Sequence, residues 1–172
     1  MKTAGRRAED RVERWLRARD LRPERFPPRR RRLSKTPDFR VATAGGAVFF
    51  LEVKTLTREQ PSYGAVILKL LRARAQFEAV NQGGHVANVL ALVATAPARL
   101  AAIIADVAPL PARPLRGVDL VLGFEAGGDG VCVLHDAASS RHAPLLARVM
   151  PTARTLLGEE PCSPPTPIAS TP

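Results

Sequence analysis

The sequence predicts an α/β fold, a mixed central sheet flanked by helices, in one domain over residues 1–157 with a C-terminal extension. Three observations carry this. A helical pattern comes first, and a β-branched and aromatic run, VFFLEVK, follows the turn signal Ala44-Gly45-Gly46. A second helical pattern then leads into an uninterrupted apolar strand, NVLALVA. At 172 residues the chain suits one domain with a real core.

Each element has a local reason. From Ala4 to Asp20 the apolar residues Ala8, Val12, Trp15 and Leu16 recur at helical spacing, with acidic and basic residues filling the rest. Phe39 to Val41 runs into the glycine turn and Val48 to Lys54 leaves it. With the turn centred on Gly45, facing positions sum to 90, and Asp38 and Glu52 become cross-strand neighbours about 5 Å apart between Cβ atoms. A two-residue Gly-Gly turn would shift the pairing by one and make that contact diagonal. On the outgoing strand Phe49, Leu51 and Val53 form an apolar face; the other face begins with Val48 and Phe50 and turns charged at Glu52 and Lys54. Gly64 to Asn81 reads as the second helix, buried along Val66, Leu70, Ala73 and Phe77, and Asn88 to Ala94 as the strand after it. Beyond these, the pattern predicts a short helix over Ala98 to Val107, a proline-broken loop from Pro109 to Pro114, and a hairpin of Val118 to Phe124 with Gly130 to Leu134. A final helix is expected over His142 to Leu157, interrupted by Pro151. The tail 158–172, rich in Pro, Ser and Thr, is expected to be disordered.

Two carboxylates and a lysine on a buried β-hairpin are costly unless they bind something. Two acids and one amine at a single point suit metal-assisted phosphodiester cleavage. The residues Pro37-Asp38 and Glu52-Val53-Lys54 resemble the PD-(D/E)xK nuclease superfamily, and the resemblance covers roughly residues 4–95. It implies a restriction-endonuclease-like αβββαβ core and an Mg²⁺-dependent endonuclease, a hydrolase of DNA in preference to RNA. Asp38 and Glu52 would hold Mg²⁺, with Mn²⁺ as substitute, the Val53 carbonyl would be a further ligand, and Lys54 would lie beside the attacking water. The resemblance also implies a glutamate from the first helix near the metal. Glu9 fits that placement better than Glu13; the alternative, that both pair with arginines such as Arg6 and Arg17, stays open. In the second helix Gln76 and Lys69, seven residues apart, could both point toward the hairpin's open end, and Arg72 shares the helix's polar positions. A solvated helix face remains the alternative for each.

Charge agrees with a polyanionic partner. The chain carries a net +10, and residues 1–40 hold 15 Lys and Arg against 6 Asp and Glu. Arg29, Arg30, Arg31 and Arg32, with Lys35, lead straight into Pro37-Asp38, where they would hold phosphates beside the chemistry. A coding bias toward arginine would explain its abundance but not this concentration. Aromatic residues make up 5% of the chain, too few for a dedicated base-stacking surface. Cys132 and Cys162 form no zinc pattern and suit a reducing cytoplasm. His135-Asp136 lacks partner ligands, and the glycine turns lack the Lys-Ser/Thr of a phosphate loop. No signal peptide or long apolar span is visible, so a cytoplasmic location away from membranes is expected. The competing expectations are a non-catalytic basic DNA-binding module on the same fold and a toxin or restriction effector nuclease. Substrate shape and dimerisation are left open; double-strand cutting would favour a homodimer.

Overall fold

The computed structural model describes residues 3–27, 36–56, 63–95, 115–125, 130–136, 142–147 and 149. Its elements are α1 (Ala4–Arg17), β1 (Arg22–Arg25), β2 (Phe39–Ala42), β3 (Val48–Leu56), α2 (Tyr63–Glu78), β4 (Ala87–Ala94), β5 (Leu120–Phe124), β6 (Val131–Asp136) and the short α3 (Ala143–Leu146). The basic run 29–32 with Lys35, the expected helix 98–107, the proline loop 109–114, Cys162 and the tail 158–172 lie outside the described residues.

The six strands form one mixed sheet in the order β1-β2-β3-β4-β5-β6. Strands β1, β2 and β3 run antiparallel, β3, β4 and β5 are parallel, and β6 returns antiparallel to β5. Every residue of β4 is buried, as expected of a parallel strand covered on both faces. One core layer lies on the α1 side, where Ala8, Val12, Trp15 and Leu16 pack with Phe39, Val41, Phe49, Leu51 and Val53. The other lies on the α2 side, where Val66, Leu70, Ala73 and Phe77 pack with Leu90, Leu92 and Val121. Both sets of helix residues are those the periodicity picks out.

The hairpin takes the register that sums to 90: Phe39 pairs with Leu51, Arg40 with Phe50, Val41 with Phe49 and Ala42 with Val48. The turn is responsible. Thr43 N–H donates to the Ala47 carbonyl at 2.9 Å and Gly46 N–H to the Thr43 carbonyl at 3.0 Å, with Gly46 at φ 78°. The loop between the closing pair therefore holds an odd number of residues and its last one is left-handed, a conformation that glycine adopts without Cβ strain.

Several boundaries differ from the sequence expectation. Helix α1 stops at Arg17 rather than Asp20, capped by the Ala18 and Leu21 N–H groups turning back onto the Arg14 and Leu16 carbonyls. Helix α2 stops at Glu78 rather than Asn81, because the Asn81 amide binds the Val86 backbone on both sides. Strand β5 begins at Leu120 rather than Val118: the Asp119 carboxylate takes the Asn88 N–H at 2.8 Å, so Asp119 acts as a cap on the sheet. Strand β6 runs past Leu134 to Asp136, and among the described residues of the expected final helix, 142–147 and 149, only α3 is helical. Strand β1 has no apolar alternation to announce it; proline and charges suit an unpaired outer edge.

Candidate active site

Asp38 and Glu52 meet where the β2–β3 hairpin runs out. Asp38 precedes β2 by one residue, and its place in the register is opposite Glu52. The two are cross-linked: Asp38 N–H donates to Glu52 Oε2 at 3.1 Å, and Val53 N–H donates to Asp38 Oδ2 at 2.8 Å. A strand residue projects its N–H and C=O to the same side. The Val53 carbonyl therefore faces the Asp38 side as well, beyond the last β2–β3 pair. The Phe26 N–H holds the Asp38 carbonyl at 3.1 Å.

Glu52 is 2% exposed. In the parallel ladder it pairs with Leu90 and Lys54 with Leu92, both part of the core under α2. Their side chains accordingly point to α2, where Gln76 waits. Lys54 Nζ donates to Glu52 Oε1 and, at 2.7 Å, to Gln76 Oε1; Gln76 Nε2 donates to the Thr36 carbonyl at 2.9 Å. One amide thus fixes the lysine and ties the segment before Asp38 to α2. With both its donor and acceptor used, the buried Gln76 is satisfied.

The electrostatics follow from burial. Loss of water pushes the Glu52 carboxyl up to about 7; the Asp38 charge adds to this, while Lys54 and Gln76 draw it down. Asp38 is also raised, by burial first, with the Val53 N–H opposing and the charge of Glu9 adding to it. Two carboxylates share one amine, so the centre is short of positive charge when both are ionised.

The other expected residues divide. Lys69 is half-buried on α2, and burial followed by the neighbouring charges of Lys54 and Arg72 holds its pKa below the ordinary lysine value. Arg72, one turn further along α2, is exposed. Glu9 is not bonded to the centre: it pairs with Arg6 at 3.2 Å and with Arg25. Glu13 pairs with Arg17 at 2.9 Å and with Arg25 at 2.6 Å. The pairing with Arg6 and Arg17 is the alternative left open by the sequence; Arg25, on β1, is the residue that sequence reasoning missed. No sequence signal pointed to it, because the arginines within α1 already offered Glu9, Asp10 and Glu13 local partners. His135 and Asp136 end a strand, and Cys132 is buried, its thiol pushed up to about 11 by burial.

The donor set could hold a hard divalent cation: two adjacent carboxylates, one almost fully buried, and a carbonyl on the same side. Among the described residues no group of three or more His, Cys, Asp and Glu side chains is placed to hold a metal. No helix among the described residues is long and apolar enough to cross a membrane. No family model, curated protein or solved structure matches the chain.

Proposed function

We propose that the chain is a divalent-metal-dependent nuclease of the PD-(D/E)xK kind that hydrolyses DNA phosphodiester bonds. The observation that carries this reading is the joined set Asp38, Glu52, Lys54 and Gln76: two cross-bonded acids, one of them buried, with a lysine held over them by an amide. The order α1-β1-β2-β3-α2-β4 supports it, being the αβββαβ arrangement that the resemblance implies.

Asp38, Glu52 and the Val53 carbonyl would hold Mg²⁺ or Mn²⁺, and the bound ion would supply Lewis acidity and a water of lowered pKa. The chain's own residues do the rest. Glu52 and Gln76 hold the Lys54 ammonium at a fixed place, where it donates to the attacking water or to charge growing on the phosphate. Gln76 fixes the approach of Thr36 and so the position of Asp38. Lys69 and Arg72 meet the flanking phosphates and position the strand without reading its sequence.

Cleavage of labelled duplex, single-strand, flap and four-way-junction DNA with Mg²⁺, with Mn²⁺ and with EDTA tests the reading. Metal-dependent cutting by the wild type, lost in Glu52→Ala, is the expected result. Salt-sensitive DNA binding without cutting under either ion would replace the nuclease with a binding module on the same fold.

A further inference from the structure

Helix α1 carries its charges on two flanks with different surroundings. Glu9, Asp10 and Glu13 turn toward β1, where Arg25 reaches Glu9, Asp10 at 2.8 Å and Glu13 at 2.6 Å. Arg7 and Arg11 stand two residues from Glu9 on either side, and residues two apart on a helix do not face each other. The two arginines lie one turn apart and share a face. Arg7 is exposed, and among the described residues no carboxylate pairs with it. The Arg11 guanidinium lies 5.9 Å from the centroid of the Phe124 ring, which places it over the end of β5.

These arginines, with Ala4 and Ala8, form one wall of an open cleft of about 310 Å³, and residues 93–95 at the end of β4 form the other. No acid lines the cleft; its charged groups are the two guanidiniums. It lies beyond the candidate centre and on the other side of the sheet. Lys54 pairs with Leu92, which packs toward α2, and the cleft begins at the next residue, Val93, which packs toward α1. Strand β3 ends at Leu56, whose carbonyl takes the Thr95 N–H at 3.2 Å. At about 3.3 Å per residue, the β4 wall lies about 3–10 Å further along the strands than the Lys54 pair.

We propose that this cleft is a phosphate-binding groove, in which Arg7 and Arg11 hold the nucleic-acid backbone away from the scissile phosphate, where the strand rounds the ends of β3 and β4. The proposal rests on the nucleic-acid part of the reading above and not on the metal site. Charge complementarity selects the occupant. An acid-free cleft with two guanidiniums, on a chain of net +10, matches a phosphodiester, whose oxygens take the arginine fork in pairs. Contacts of this kind fix position and carry no sequence preference.

The test is fluorescence anisotropy of labelled duplex and single-stranded DNA with the full chain, in EDTA and over a series of salt concentrations. The proteins are wild type, Arg7→Gln, Arg11→Gln, the double variant and Arg14→Gln. Arg14 is exposed on the same helix but outside the cleft, so it reports the loss of charge alone. The double variant is expected to bind about tenfold more weakly and to lower the slope of log affinity against log salt by about 1–2, with each single variant showing part of that loss. Arg14→Gln should change affinity by no more than about twofold. Equal losses in all three single variants would mean that net charge alone acts, and would overturn the groove. Should Arg11→Gln, which gives up the Phe124 ring, fail to fold, Arg7→Gln against Arg14→Gln makes the same comparison. Inorganic phosphate, titrated by calorimetry, that binds through Arg7 while DNA affinity is unmoved would make the cleft a pocket for a free phosphate ester and overturn the backbone assignment. Arg7-dependent DNA binding without cleavage under Mg²⁺ or Mn²⁺ would support the groove and sink the nuclease reading alone. No DNA binding by the wild type would sink both.

Discussion

Two acidic clusters, one on α1 and one at the end of the β2–β3 hairpin, are built on opposite principles. On α1, three carboxylates face three arginines, Arg6, Arg17 and Arg25, and the acids stay 21–27% exposed. At the hairpin end, two carboxylates share one lysine, and Glu52 is buried. The first cluster is nearly neutral and wet, so it holds structure at little cost and contributes little per pair. The second carries an excess of negative charge away from water, which folding alone would not favour. What separates a structural ion network from a candidate site here is incomplete compensation under burial, since both contain acids and bases at bonding distance.

The largest expected effect is that of Glu52→Ala, which should lower metal-dependent cleavage at least about a thousandfold, in the range of lost key catalytic groups, while circular dichroism stays native. Retained cleavage would remove the hairpin end from the chemistry.

Lys54→Ala comes next. It leaves Glu52 buried with its cation gone, and is expected to cost about 2 kcal/mol at pH 8, less than a fully buried pair because the lysine is partly exposed. The loss should shrink at pH 5, where Glu52 takes up a proton. Urea unfolding of the metal-free protein at both pH values measures this; an equal loss at both would mean packing, not charge, was removed.

Stability of the metal-free protein should itself depend on pH. Glu52 holds its proton up to about 7 in the fold but releases it near 4.5 when unfolded. The folded state therefore binds more protons between those values, and stability is full below 4.5, falls as pH rises through that window, and reaches its full loss above about 7. The loss amounts to about 3 kcal/mol. Denaturant titrations in EDTA from pH 4.5 to 8 should show the decline, and Glu52→Gln should flatten it. Added Mg²⁺ should raise wild-type stability most at the alkaline end, because it binds the folded state alone. A rise of stability with pH in the wild type relative to Glu52→Gln would contradict the burial of an ionisable Glu52.

The smallest effect belongs to the compensated cluster. Arg17→Ala should change stability by no more than about 0.5 kcal/mol, the value of an exposed pair on a helix, and should leave Mn²⁺ affinity alone. A larger loss would mean that the α1 network acts as a unit and is closer in kind to the hairpin end than its exposure suggests.

Much of the architecture was legible because it is local. Helical spacing named the buried faces of both long helices, and the glycine turn narrowed the pairing of β2 with β3 to two registers, of which the structure takes the one centred on Gly45. What escaped was non-local. Strand β1 has little apolar pattern of its own and exists because β2 offers it an edge. The ends of α2 and β5 are set by Asn81 and Asp119, whose side chains replace backbone partners. Among site residues, Glu52 and Lys54 announced themselves as charges on an apolar strand, and Asp38 as a position that could face Glu52 across the turn. Gln76 was one of several equivalent polar positions on α2 until the sheet placed Lys54 under it.

By itself, then, the sequence determined the α/β pattern and the two helix faces and left two registers open for the hairpin, since periodicity and turn geometry act over a few residues. Only the tertiary structure decided that Gln76 joins the lysine while Glu9 is held by Arg25. A side chain's partners across tens of residues depend on which elements pack together and how they are rotated, and no local spacing encodes that.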